Sequence, residues 1–424
     1  MITDAAPPDL TPYLRDGDTV VWGQANAEPL TLTRALVAQR HRFGRLRLFL
    51  GIDNGRTLTP AHADAFDFVG YCGTGGNRQL ARPGLLDIVA CPYSQLPDAL
   101  RSGALKVDAV LLQVAPPDND GRYSLGLAND LLLAALDAAR VVIAEVNPQV
   151  PWTIGARTLG ADDIDLLVPA QFAPLESRPG EPSAIDSQLA ARVAALIDDG
   201  ATLQIGLGGI AEATLQLLGD RRDLGLHTGI VGDGIVTLAE SGALTHARKS
   251  IDRGIGIAGL LAGSQRLYRY AHCNPALQMR SSDYTHGAAV LRTIDHFVAI
   301  NSAIEVDLTG QVNAEVAAGD YVGAVGGAPD FLRAAQLSRG GLPVVALPSM
   351  AGSRSRIVAS LSGPVTTPRC DAGVFVTEYG VADLRGLSLR ARVPRMIDIA
   401  APEQREALER SANGLIGGAG RSGK

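Results

Sequence analysis

The stretch DGDTVVWGQANAEP at residues 16–29 returns in altered form as DGATLQIGLGGIAE at residues 199–212, in register from Asp16 and Asp199 through Gly23 and Gly206. In each copy a short β-rich run ends on glycine and passes into a helix-like run, the pattern of a strand, a tight turn and a helix. Moving outward, RLRLFLGID ending at Asp53 lies against DLGLHTG ending at Gly229, and AVLLQVAPPDNDGRYS (109–124) lies against FVAINSAIEVDLTGQVN (297–313), pairing Gln113 with Asn301 and Gly121 with Gly310. Three matches in the same order predict an internal duplication: two similar, open, mainly parallel α/β domains. Packed with the carboxyl ends of their strands facing one another, they would share a cleft, the usual ligand site of open α/β sheets.

Further strand-like runs, DTVVWG (18–23), VDAVLLQV (107–114) and ARVVIAEV (139–146), alternate with helix-like stretches such as LTLTRALVAQRH and DLLLAALDAA. That alternation implies parallel sheets with helical crossovers. Between the repeats, APLESRPGEPSAID (173–186) is rich in Pro, Ser and charge and lacks apolar periodicity, so the domains are expected to be 1–182 and 183–424. The tail GLIGGAGRSGK offers too little apolar surface to offset ordering and is expected to be flexible.

The chain has 424 residues and 44.2 kDa, above the usual size of one domain. Its 46% hydrophobic and 19% charged content, with mean hydropathy +0.12, excludes a mostly disordered protein. With aromatics at 4% and 48 glycines, the cores must be built from Ala, Val, Leu and Ile. A net charge of −6 and the lack of any basic run argue against nucleic acid as a partner. No apolar run reaches the roughly 18 residues a membrane span needs, and the opening MITDAAPPDL lacks the pattern of an export signal. Cys72, Cys91, Cys273 and Cys370 form no CxxC pair and the seven histidines are scattered, which argues against a metal site or a disulfide framework and for a cytoplasmic location.

Three glycine clusters stand where strands should end: CGTGGN (72–77), GLGG (206–209) and GAVGGAPD (323–330). GLGGIAEA departs from the dinucleotide fingerprint in spacing and lacks its acidic partner, so a nicotinamide cofactor is not expected. GAVGGAPDF could present bare backbone N–H groups to a thioester carbonyl and its developing oxyanion. Together with INSAIEVDLTGQVNAE (300–315), VTEYGVADLRG (376–386), QVAPPDNDGRYSLG (113–126) and GDGIVTLAESGALT (232–245), it resembles the acetyl-CoA hydrolase and CoA-transferase family, whose members include 4-hydroxybutyrate and succinyl-CoA:acetate CoA-transferases. The resemblance runs from about residue 10 to 410.

It implies an acyl-CoA held mainly by the second domain and an acceptor carboxylate; coenzyme A as substrate with no tightly bound cofactor, and a homodimer or larger oligomer, are expected beside it. It also implies that the GAVGG loop lines the thioester, and a glutamate nucleophile in an HTE motif that forms an acyl anhydride and then an enzyme thioester; Gln24, Gly229, His286, Asn301, Gly323, Val325, Gly326 and Gly327 are the expected substrate- or CoA-binding positions. Here the motif reads His227, Thr228, Gly229, and His286 of DYTH stands where many relatives carry Asn. The nucleophile's place is taken by glycine. Across the duplication Gly229 pairs with Asp53, which is therefore a candidate replacement carboxylate, although Asp before Asn54 and Gly55 is also ordinary turn chemistry. Glu305 is a second candidate, and His227 and His286 are candidates for acid–base work or substrate binding. The reading is CoA transfer between a short-chain acyl-CoA and a carboxylate, with acyl-CoA hydrolysis, or a catalytically silent acyl-CoA-binding subunit, as alternatives.

Overall fold

The computed structural model describes residues 6–178 and 180–416, with the side chains of 413–416 excepted. Each expected strand forms. Thr19–Trp22 (β1), Leu46–Leu50 (β2), Phe66–Gly70 (β3), Leu86–Ile88 (β4), Ala109–Val114 (β5), Val141–Val146 (β6) and Leu166–Pro169 (β7) build a parallel sheet in the order β7-β6-β5-β1-β2-β3-β4. Thr202–Ile205 (β8), Gly225–Leu226 (β9), Phe297–Asn301 (β10), Leu342–Ala346 (β11), Val374–Thr377 (β12) and Gly380–Asp383 (β13) build a second, ordered β9-β8-β10-β11-β12-β13 and parallel except for the last pair. The duplication is legible in this topology, since β7-β6-β5-β1-β2 repeats as β12-β11-β10-β8-β9.

Alternation along the strands decides which layer each side chain joins. On the first sheet Val20, Leu48, Leu111 and Ile143 face one core, while their neighbours Val21, Phe49, Val110 and Ala144 face another. On the second sheet Ala299, Val345 and Phe375 face a third core, and Val298, Val344 and Val374 turn back to the one that holds Val21. One apolar cluster is thus common to both sheets. Burial on both faces is why these strands read as unbroken apolar runs.

The described residues of 173–186 are mostly exposed, yet the stretch is anchored at Ser177, whose N–H donates to Gly263 O at 3.0 Å. Its end is a helix start: Ser183 caps Ala184–Ala194 by accepting from Asp186 N. Part of the expected flexible tail is helical, because Pro402–Ile416 runs on through Gly414; residues 417–424 lie outside the described residues. Among the described residues no helix is long and apolar enough to cross a membrane.

Candidate active site

Two of the glycine clusters meet. Gly73 N–H donates to Gly323 O at 2.8 Å, Cys72 and Ala324 form an antiparallel bridge, and Tyr93 N–H donates to Gly326 O at 2.9 Å. The approach is too close for side chains: a Cβ on Gly73 would lie 2.3 Å from Tyr321 O, and one on Gly323 1.9 Å from Ala314 O. The GAVGG loop is thereby tied to the end of the first sheet before it enters the helix Ala328–Leu337.

Beneath the loop lies a cleft of about 220 Å³. Gln24, Ile52 and Cys72 reach it from just beyond β1, β2 and β3, and Gly206, Gly229 and Asn301 from the ends of β8, β9 and β10. Strand carboxyl ends from both sheets therefore wall one site, as the duplication predicts. The volume suits a small acyl group rather than a whole cofactor, since drug-sized ligands occupy roughly 300–1,000 Å³.

Of the residues singled out in the sequence, Gln24, Gly229, His286, Asn301, Gly326 and Gly327 line this cleft. Asp53, His227, Glu305, Gly323 and Val325 do not. Asp53 stands three residues past β2 just as Gly229 stands three past β9, but the expectation that the two face each other needs correcting. Ile52 takes the cleft, and the Asp53 carboxylate turns into a smaller adjoining cavity with Trp22, Glu28, Thr57 and Asn77. There Oδ1 accepts Arg56 N–H at 2.8 Å, while Oδ2 is buried without a partner. Burial, opposed by the Arg56 N–H, raises its pKa.

Glu305 is buried and saturated, accepting from Asn313 Nδ2 at 3.0 Å, Ser362 N at 2.6 Å and Gly363 N at 3.2 Å. It fastens a loop. His227 is fully buried behind the cleft, with Nε2 3.2 Å from Thr285 O and its ring near Phe297 and Tyr284. Burial, then Lys249, pushes it down to about 3, so it is neutral.

His286 occupies the centre. Its ring lies 4.5 Å from Phe331 and 4.8 Å from Tyr93, centroid to centroid, and Nδ1 is 2.8 Å from Thr285 Oγ1. A Cβ on Gly229 would come within 2.6 Å of its Cε1, and one on Gly327 within 2.5 Å of Nε2. The imidazole fills the space that any side chain at 229 would need.

Sequence reasoning missed the polar network beside it. Gln24 Nε2 donates to Asp130 Oδ2 and to Tyr93 OH, each at 2.6 Å; Tyr71 OH donates to Gln24 Oε1 at 2.6 Å, and Ile52 N–H to the same oxygen at 3.0 Å. Tyr93 OH also reaches Asp130 at 3.2 Å. Burial is the main influence on Asp130 and raises its pKa, and it holds both tyrosines protonated as donors. Tyr71 could have been noticed beside CGTGGN. Asp130 could not, because its partners stand 37 and 106 residues away in the chain.

Comparison with known proteins shows the family. The acetyl-CoA hydrolase/transferase N-terminal domain matches residues 5–168 and the corresponding C-terminal domain residues 263–412. The 4-hydroxybutyrate coenzyme A transferase of Clostridium kluyveri is 35% identical over 399 residues, covering 92% of each chain, and the butyryl-CoA:acetate CoA-transferase of Anaerostipes caccae is 33% identical, covering 94% of this chain and 93% of its own. The crystal structure of RipA from Yersinia pestis superposes with a TM-score of 0.91 at 31% identity, covering 96% of both chains. With both halves matched in chain order and relatives aligned almost end to end, this chain belongs to the acetyl-CoA hydrolase/transferase family.

Proposed function

We propose that the chain cleaves the thioester of a short-chain acyl-CoA in this cleft, either by water, releasing the free acid and CoA, or by passing CoA to an acceptor carboxylate while the donor acyl group leaves as its carboxylate. The observation that carries the reading is the meeting of the Gly326–Gly327 backbone with the carboxyl ends of both sheets around a small, largely apolar chamber. Backbone N–H groups there suit a thioester carbonyl, and the chamber's size suits a short acyl chain. CoA is taken to extend from it along the second domain.

Of the two fates the geometry favours water. The cleft's one carboxylate among the described lining residues, Asp130, is held by Gln24 and Tyr93, and the position of the family glutamate is closed by His286. A transfer route through Asp53 keeps one point in its favour, the unpartnered Oδ2. It requires that carboxylate to swing past Ile52.

The test is to incubate purified protein with acetyl-, butyryl-, succinyl- and 4-hydroxybutyryl-CoA, with and without free carboxylates, following thiol release and CoA exchange by mass spectrometry. CoA release without an acceptor is the expected result. Strict dependence on an acceptor, together with loss of exchange by two or more decades in Asp53→Asn and trapping of an acyl adduct on its peptide, would establish transfer instead. No cleavage of any thioester and no acyl-CoA binding would defeat the reading altogether.

A further inference from the structure

The exchange of a carboxylate for an imidazole at the centre of the cleft has a chemical meaning that depends on the hydrogen bonds around Thr285. Thr285 Oγ1 lies 3.3 Å from Ser281 O, toward which it donates, and 2.8 Å from His286 Nδ1. Both bonds are made at once only if the hydroxyl hydrogen goes to Ser281 and Nδ1 carries the imidazole hydrogen. Nε2 then holds a lone pair. It is this nitrogen that stands against Gly229 on one side and Gly327 on the other, between the end of β9 and the loop proposed to bind the thioester carbonyl.

We propose that His286 Nε2 is the general base that activates water in this enzyme, and that Gly229 provides the clearance that admits it. Water, hydrogen-bonded to Nε2, attacks the thioester carbon as its proton passes to Nε2 and the carbonyl electrons move onto oxygen, beside the Gly326–Gly327 backbone. Collapse of the tetrahedral intermediate breaks the C–S bond. The departing thiolate takes the proton back from Nε2, leaving a carboxylic acid and CoA-SH, so the imidazole ends as it began. The family's covalent route is closed by the same contact, because no glutamate fits at 229 while the ring is present. Thr285 fixes the tautomer, and Phe331 and Tyr93 fix the plane of the ring. Burial, and secondarily His227, hold His286 down to about 3, so the ring is neutral but a weak base at rest, and the proton it receives must be held by the negative charge that develops on the tetrahedral intermediate.

The proposal rests on the cleft being the thioester site, and its test separates the two ideas. In His286→Asn, kcat for acyl-CoA hydrolysis should fall about 100-fold or more while the Kd for acyl-CoA, measured by calorimetry, changes less than about threefold. His286→Gln, which keeps more of the ring's volume, should show the same split if the asparagine variant melts early. Gly229→Glu alone should lose both activity and thermal stability. The double variant Gly229→Glu with His286→Asn should regain the stability, and an acyl adduct should become trappable on the peptide carrying position 229. If wild type hydrolyses acyl-CoA and both His286 variants, folded, do so at the same rate, the base assignment is overturned and the thioester site stands. If wild type neither binds nor cleaves acyl-CoA, both fall together.

Discussion

At the scale of single residues, Gln24 illustrates how much one side chain can organise. It is 4% exposed and joins Tyr71, Tyr93, Asp130 and Ile52 N–H through both ends of its amide. Leucine at this position would keep the volume but strand the Tyr71 hydroxyl and the Ile52 N–H, and would leave Asp130 Oδ2 with Tyr93 OH alone of its two side-chain donors. A buried polar group left without its partner costs about 1–3 kcal/mol, and a charged one more. Gln24→Leu should therefore lower unfolding free energy by about 2–4 kcal/mol in a urea titration and raise the pKa of Asp130 further. A loss below about 1 kcal/mol would mean that Asp130 is already protonated or has water in place of Gln24. Asp53 is the contrasting case: removing its charge as Asn leaves the Arg56 N–H bond available to Oδ1, so stability should change little whatever happens to turnover.

At the scale of elements, the glycine loops show where sequence reading succeeds and where it stops. The strand runs were readable because both faces are buried, and the positions beyond them were readable because the duplication put Gly229 opposite Asp53 in chain order. Chain order does not decide which of two consecutive side chains points into a cleft, and at the end of β2 the pleat gives that place to Ile52. Nor does local pattern show that CGTGGN and GAVGG touch, since Gly73 and Gly323 are brought together only by the docking of one half on the other. Gly326 adds a further point. A Cβ there would meet only Ala324 Cβ at 3.7 Å, so space is available, but φ is +59°. Gly326→Val is strained by its backbone rather than by bulk, at about 1–3 kcal/mol. It should weaken acyl-CoA binding about tenfold by releasing the Tyr93 N–H bond to Gly326 O. Gly326→Asn, a residue that tolerates left-handed backbone, should keep most of the affinity. Equal losses in both would show that the bare surface of the loop matters more than its conformation.

At the scale of the whole molecule, three imidazoles are buried where a proton on the ring is disfavoured. Burial pushes His227 and His286 down to about 3 and His246 down to about 4, against 6.5 in an unfolded chain. Each folded form therefore binds fewer protons than the unfolded form below that value, so its contribution is complete above pH 6.5 and is lost as pH falls toward 3 or 4. Buried carboxyls act in the opposite sense: Glu145, raised to about 7, and Asp330, raised to about 6, hold protons in the folded state that the unfolded chain has released, so their stabilising effect grows on acidification. The total pH profile mixes the two, and a difference between variants isolates one group. The stability of wild type minus that of His286→Asn, from urea titrations at pH 7 and pH 5, should fall by about 2 kcal/mol, one and a half units of unfolded-state protonation at about 1.36 kcal/mol each. A difference that stays flat over this range would mean that His286 takes up its proton in the folded protein, and an imidazole already charged has no lone pair with which to activate water.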